Sequence, residues 1–205
     1  MTIRDKLASY RVLPVITAED VDSTVALSRA LFGGGMRAVE ITLRTDAALD
    51  AIAAVRSELP EMSVAAGTVT NPQQLQAAVM AGCDFHVSPG LTEALLAAAR
   101  EADAALVPGV ATPSEIMLGM DYGLDCFKLF PAVPVGGMGL LKALAGPFPG
   151  LAFCPTGGLN ADNFRDFLAL PNVVCCGGSW MVATELVRQG DWDRIEKLAA
   201  AAMSH

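Results

Sequence analysis

Histidine is almost absent: of the two in this chain of 205 residues, one is the final residue, His205. A zinc site or a histidine-based triad therefore has little to be built from. The five cysteines, at 83, 126, 154, 175 and 176, are odd in number, lie mostly in apolar runs and form no Cys-x-x-Cys pair, so they read as buried free thiols. No cluster of Lys and Arg occurs, and 14 basic against 22 acidic residues give a net charge of −8, which argues against a phosphate-tracking nucleic-acid surface. The long uncharged stretches, 62–83 and 167–184, are interrupted by Asn, Gln, Pro or Gly, so neither has the roughly 20 apolar residues of a membrane span. The opening segment MTIRDKLASYRVLPV mixes charges through its length and does not read as a signal peptide. The expectation is a soluble, cytoplasmic protein whose partners include neither nucleic acid nor membrane.

What the chain does have is 53% hydrophobic residues, only 18% charged residues and nineteen glycines, the make-up of one compact globular domain. Short apolar runs recur, each followed by a turn signal and a longer stretch of helical spacing. Strand starts read near Leu13, Ala38, Ser63, Asp84, Ala105, Cys126, Leu151 and Val173, 21–25 residues apart. Asn71-Pro72 and Thr112-Pro113 set a capping side chain before a proline suited to the first helical turn, and Thr92 and Asn160 can cap in the same way. Gly33 to Gly35, Gly82 and Gly123 are placed as left-handed helix stops. Eight βα units without a linker predict a single (β/α)8 TIM-barrel domain over 1–205, with a short N-terminal helix across the barrel bottom. An open doubly wound sheet is the other architecture that fits.

Strand alternation then sorts the polar residues. In Ala38 to Arg44, Val39, Ile41 and Leu43 face the helices, which turns Glu40, Thr42 and Arg44 into the barrel, with Arg44 at the carboxyl-end mouth where barrel active sites are built. The chain has only four lysines. Lys6, Lys142 and Lys197 fall in helical segments, whereas Lys128 shares an inward strand face with Cys126 and Phe130. A lysine buried there, with Arg44 as a neighbouring cation, is suited to presenting a neutral amine that attacks a carbonyl and forms a Schiff base. The same spacing also serves a purely structural pairing with Glu40. His86 reads as a satisfied inner-wall histidine without a role.

Three strand ends look fitted to a small anion. Ala66-Gly67-Thr68 places a hydroxyl at the mouth, while Pro155-Thr156-Gly157-Gly158 and Cys176-Gly177-Gly178-Ser179 offer glycine pairs, each expected to lead directly into a helix, the second near Trp180. Tight strand-to-helix turns want such glycines too.

The segments VEITLRT (39–45), AGTVTNPQQL (66–75), SPGLTE (88–93), PGVATPSEIMLGMDYGLDCFKLFPA (108–132), AGPFP (145–149), FCPTGG (153–158) and GGSW (177–180) resemble, in order, the 2-keto-3-deoxy-6-phosphogluconate (KDPG) and 4-hydroxy-2-oxoglutarate (KHG) aldolases. The resemblance implies a metal-independent class I aldolase without a cofactor, on a small barrel and usually a homotrimer. It makes Lys128 the Schiff-base residue and Glu40 the general acid/base. Arg44 and Thr68 would bind the pyruvate carboxylate, and Pro89 and Phe130 would line the site. Gly157, Gly158, Gly178 and Ser179 would hold the phosphate end, with Thr156 influencing stereochemistry at C4. The loop 132–139, AVPVGGMG, has no clear counterpart. The implied reaction is cleavage of KDPG to pyruvate and glyceraldehyde 3-phosphate, and of KHG to pyruvate and glyoxylate. A phosphosugar isomerase or epimerase, and a sugar-phosphate binding protein without turnover, are the competing readings.

Overall fold

A computed structural model describes residues 1–204. The chain begins with α1 (Ile3–Tyr10), followed by β1 (Arg11–Thr17), α2 (Val21–Gly33), β2 (Ala38–Thr42), α3 (Ala48–Glu58), β3 (Ser63–Gly67), α4 (Pro72–Met80) and β4 (Phe85–Val87). It continues through α5 (Glu93–Glu101), β5 (Leu106–Val107), β6 (Gly109–Val110), α6 (Pro113–Asp121), β7 (Cys126–Leu129), α7 (Gly137–Leu144) and β8 (Ala152–Pro155). The last elements are α8 (Phe164–Leu168), β9 (Cys175–Gly178), α9 (Thr184–Gln189) and α10 (Trp192–Met203).

The strands form a parallel, curled arrangement: six in the order β5-β4-β3-β2-β1-β9 and three in the order β6-β7-β8. β5 and β6 are consecutive and separated only by Pro108, which has no N–H to give to a ladder. Isolated parallel bridges, Phe153 with Val173 and Thr156 with Gly177, join the β8 region to the β9 region.

Alternation along the strands divides the core in two. Leu13, Ala38, Ala65, Phe85, Val107, Cys126 and Cys154 belong to a cluster on the concave side of the curled strands, which Leu7 of α1 also enters. Val39, Ile41, Phe127 and Leu129 belong to the larger cluster shared with the helices. Tyr10 at the end of α1 stacks on Phe85, ring centroids 6.4 Å apart, so the N-terminal helix packs beneath the strands as its position implied. Four cysteines are buried and Cys83 is partly buried, all of them free. Burial, with a smaller push from Asp84, raises the Cys83 thiol to about 12, and burial raises Cys126, Cys175 and Cys176 as well. These thiols act as small apolar fillers.

The caps at Asn71, Thr92 and Thr112 form as read, each side chain accepting from a first-turn N–H. Asn160 does not cap a regular helix. Its side chain accepts from the N–H groups of Asp162 and Asn163, closing a turn, and α8 begins only at Phe164. Of the three glycines around the end of α2, only Gly35 has positive φ; Gly33 is the last helical residue and Gly34 has φ −73°. Gly34 serves close packing instead, since a Cβ there would lie 2.6 Å from the Glu196 carbonyl of α10.

Candidate active site

β2 and β7 are not sheet neighbours, yet their side chains meet on the concave side. Lys128 Nζ donates to Glu40 Oε1 at 3.2 Å, with the lysine side chain 7% exposed and the glutamate 1%. Glu40 Oε2 is buried and has no hydrogen-bond partner. An unpartnered carboxylate oxygen in such a place is costly unless a substrate or proton meets it. Phe130 lies beside the pair, its ring centroid 5.1 Å from Nζ.

The group that Lys128 Nζ contacts is the Glu40 carboxylate, where the sequence suggested a neighbouring cation. Arg44 lies beyond the end of β2 and not on the strand as the sequence suggested, because the chain turns there, with Arg44 N–H donating to the Thr42 carbonyl at 2.8 Å. The Arg44 guanidinium reaches out to Thr68, Nε to Oγ1 3.2 Å. Thr68 itself has φ 57°, a left-handed conformation costing roughly 1–3 kcal/mol for such a residue and typical of sites held in place by their surroundings. Arg44 and Thr68 thus form a paired set of donors at the carboxyl end of β2 and β3.

Thr156 is buried just after β8, and a Cβ on Gly177 would press on its hydroxyl and lie 3.1 Å from its methyl, so the glycine is what admits Thr156. Gly157 and Gly158 both have positive φ. The loop that followed no family pattern lies against them: Ala132 N–H donates to the Thr156 carbonyl at 2.8 Å and Val133 N–H to the Gly157 carbonyl at 3.0 Å. Gly158 also leaves room for Val133, whose Cβ would be 2.6 Å from an added methyl. At Gly178 the space is filled by the Trp180 ring, which also stacks on Phe164 at 5.0 Å.

The helices expected directly after these glycines start later. α8 begins at Phe164 and α9 at Thr184, after a turn in which Val182 N–H donates to the Ser179 carbonyl. Glycine-rich sequence at a strand end marks a close approach, but in both places that approach is a side chain of the same chain and not a helix start. The exposed Ser179 borders a cavity of about 210 Å³ lined also by Val15, Thr17, Glu19 and Thr184. Neither Lys128 nor Glu40 lines it, but Val15 is the register partner of Glu40 on β1. Thr17 and Glu19 were not anticipated; their only sequence signal is their place at the end of β1. Pro89 follows β4 in a bend, its carbonyl pressed close to Gly109, the register partner of Lys128.

His86 does not face the inner wall. Its strand neighbours Phe85 and Val87 belong to the concave cluster, which turns His86 toward the helices. Nor is it fully satisfied: Nδ1–H donates to the Ala105 carbonyl at 3.2 Å, but Nε2 is buried without a partner. Burial pushes the imidazole below its ordinary value, with the Ala105 bond working the other way. Because the unfolded chain then takes up a proton near pH 6.5 and the folded chain only at lower pH, stability is fully present above about pH 6.5 and is lost as the pH falls. Thermal unfolding followed from pH 8 to pH 5 is expected to show this loss in the wild type and a flatter profile in His86→Gln.

The "KDPG and KHG aldolase" family model matches residues 3–198. The chain is 53% identical over 197 residues to the KHG/KDPG aldolase of Escherichia coli (strain K12), covering 96% of this chain and 92% of that protein. It is 51% identical over 198 residues to the 2-dehydro-3-deoxy-phosphogluconate aldolase of Dickeya dadantii (strain 3937), covering 97% and 93%. Among solved structures, the KDPG aldolase from Legionella pneumophila, with pyruvate captured at low pH as a covalent carbinolamine intermediate, superposes with a TM-score of 0.97 at 41% identity, covering 100% of this chain and 99% of that one.

Proposed function

This chain belongs to the family of KDPG and KHG aldolases, and from that premise we propose that Lys128 and Glu40 carry out its reaction. The enzyme is a carbon–carbon lyase that cleaves KDPG to pyruvate and glyceraldehyde 3-phosphate through a Schiff base with the keto acid. The observation that carries the assignment of residues is the buried contact of Lys128 Nζ with Glu40 Oε1 at 3.2 Å, with the second carboxylate oxygen free.

The steps balance with these two side chains. Glu40 takes a proton from the Lys128 ammonium, and the amine adds to the C2 carbonyl. The carbinolamine oxygen takes up a proton from Glu40 and leaves as water, giving an iminium. The carboxylate, restored, accepts the C4-hydroxyl proton as the C3–C4 bond breaks and its electrons flow to the iminium nitrogen. Glyceraldehyde 3-phosphate departs, Glu40 returns the proton to C3 of the enamine, and water releases pyruvate from Lys128. Arg44 and Thr68 hold the pyruvate carboxylate so that C2 faces Nζ. Phe130 and Pro89 border the keto acid and Thr156 faces C4. Gly157, Gly158, Gly178 and Ser179 form the phosphate end, beside the cavity that Ser179 lines. KHG, which ends in a carboxylate, is cleaved to pyruvate and glyoxylate by the same steps.

The reading takes residues 1–205 as one (β/α)8 barrel, with β5 and β6 as one strand interrupted at Pro108 and the two bridges between the β8 and β9 regions closing the ring. It places the enzyme in the cytoplasm as a homotrimer. No helix among the described residues is long and apolar enough to cross a membrane.

Borohydride added with pyruvate is expected to inactivate the enzyme and leave one reduced adduct, mapped by peptide mass spectrometry to Lys128. An adduct on Lys6, Lys142 or Lys197, or none at all, overturns the assignment. At the other end of the substrate, Ser179→Ala is expected to raise KM for KDPG by about tenfold, the loss of one hydrogen bond to a charged group. KM for KHG should change less, and an equal change for both substrates removes Ser179 from the phosphate end.

A further inference from the structure

The acid at position 40 occupies a space that one particular residue leaves open. Glu40 on β2 is in register with Ala65 on β3, and Gly67, two residues further on the same face of β3, is diagonal to it. A methyl built on Gly67 would touch Oε1 of Glu40 and lie 2.6 Å from its Cγ and 2.9 Å from its Cδ. Real side chains do not approach so closely, so any side chain at 67 forces the Glu40 carboxylate to move. The backbone gives no other reason for glycine. Gly67 is not among the glycines with positive φ, and its place in a regular parallel ladder is one alanine can adopt. Nor can β3 easily yield, because the Gly67 carbonyl accepts from the N–H of Leu43, the residue after β2, at 2.8 Å.

We infer that Gly67 is a positioning residue for proton transfer: its missing side chain is the space in which the Glu40 carboxylate is held against Lys128. This rests on the reading that Glu40 moves the protons of the reaction. Lys128 holds Oε1 on one side and the bare backbone of β3 borders the carboxylate on the other, which leaves Oε2 as the oxygen free to meet substrate. The three atoms nearest to a methyl at 67 all belong to Glu40, so the carboxylate is what it displaces first.

Gly67→Ala is therefore expected to lower kcat for KDPG by about 100-fold, the usual effect of misplacing a catalytic group by around 1 Å. KM and the yield of borohydride trapping with pyruvate should change little. The decisive measurement is the double variant Gly67→Ala/Glu40→Ala, since alanine at 40 removes the Cγ, Cδ and Oε1 atoms that the methyl would meet. In the Glu40→Ala background the alanine at 67 should cost about tenfold or less of the residual kcat, and any fall in melting temperature that it causes in the parent should be relieved. An equal cost in both backgrounds, on kcat and on melting temperature, overturns the inference, and so does a loss of trapping in step with turnover. Glu40→Gln in the same assays separates the two levels. If that variant keeps its turnover, the role given to Glu40 is wrong. If it is inactive while Gly67→Ala turns over like the wild type, only the role given to Gly67 falls.

Discussion

Replacing Lys128 by methionine is expected to remove activity and a large part of the stability together. Without the amine no iminium forms, C3–C4 cleavage has no electron sink, and turnover should fall on the order of 10⁴- to 10⁶-fold, as it does when covalent enzymes lose their nucleophile. Methionine is close to lysine in length and fills the same space on the concave side, beside the Phe130 ring. What changes is the charge. Glu40 is 1% exposed and its Oε2 already lacks a partner, so losing the Nζ contact leaves a buried carboxylate with no compensation. Removing one member of such a pair typically costs about 3–5 kcal/mol. The pair makes a further claim: Lys128→Met/Glu40→Gln, which removes both charges, should regain most of the melting temperature while remaining inactive. If the double variant is no more stable than Lys128→Met, the cost lies in packing and not in the orphaned carboxylate. If Lys128→Met cleaves KDPG at a substantial rate, the Schiff base is elsewhere.

Much of this arrangement is legible in the residues alone. The eight strand starts fall within two residues of β1, β2, β3, β4, β5, β7, β8 and β9, because a strand covered on both faces needs an apolar run and a glycine or capped helix must punctuate it. Lys128 and Glu40 face the same interior because strand alternation leaves no other choice once Phe127, Leu129, Val39 and Ile41 are given to the helices. Four features escaped, each for a physical reason. Arg44 continues the alternating pattern of β2, but pattern carries no information about the turn after Thr42. The glycines at 157, 158, 177 and 178 announce close approach without saying what approaches, and Val133, Thr156 and Trp180 are distant or non-obvious in sequence. Gly67 was read only as part of the strand end that sets the Thr68 hydroxyl at the mouth, whereas its meaning depends on a glutamate 27 residues earlier. His86 was turned the wrong way because a three-residue strand, Phe85–Val87, is too short for alternation to reveal its phase.

Glu40→Gln tests the chemistry more finely than loss of the lysine. The amide has the shape of the carboxylate, and its carbonyl oxygen can still accept from Lys128 Nζ, so the space beside Gly67 stays filled and the lysine stays in place. It cannot take up or return a proton. Imine formation needs proton transfers that water can perform slowly, so reduction with borohydride after long exposure to pyruvate should still label Lys128. Cleavage needs the C4-hydroxyl proton removed as the C3–C4 bond breaks, and the enamine needs a proton at C3. Losing a positioned acid/base group for such steps costs about 10²- to 10⁴-fold, and kcat for KDPG should fall in that range. Exchange of the pyruvate methyl hydrogens with deuterated water, followed by proton magnetic resonance, reports the C3 step alone and should slow by a similar factor, because it runs through the same enamine. A variant that traps pyruvate, exchanges its methyl hydrogens at the normal rate and yet fails to cleave KDPG would assign Glu40 to the C4 proton only. One that neither traps nor turns over would make Glu40 chiefly the structural partner of a buried ammonium. Labelling at Lys128 with cleavage and exchange both lost is the result expected if one carboxylate, 3.2 Å from the lysine and with one oxygen free, serves both carbon atoms in turn.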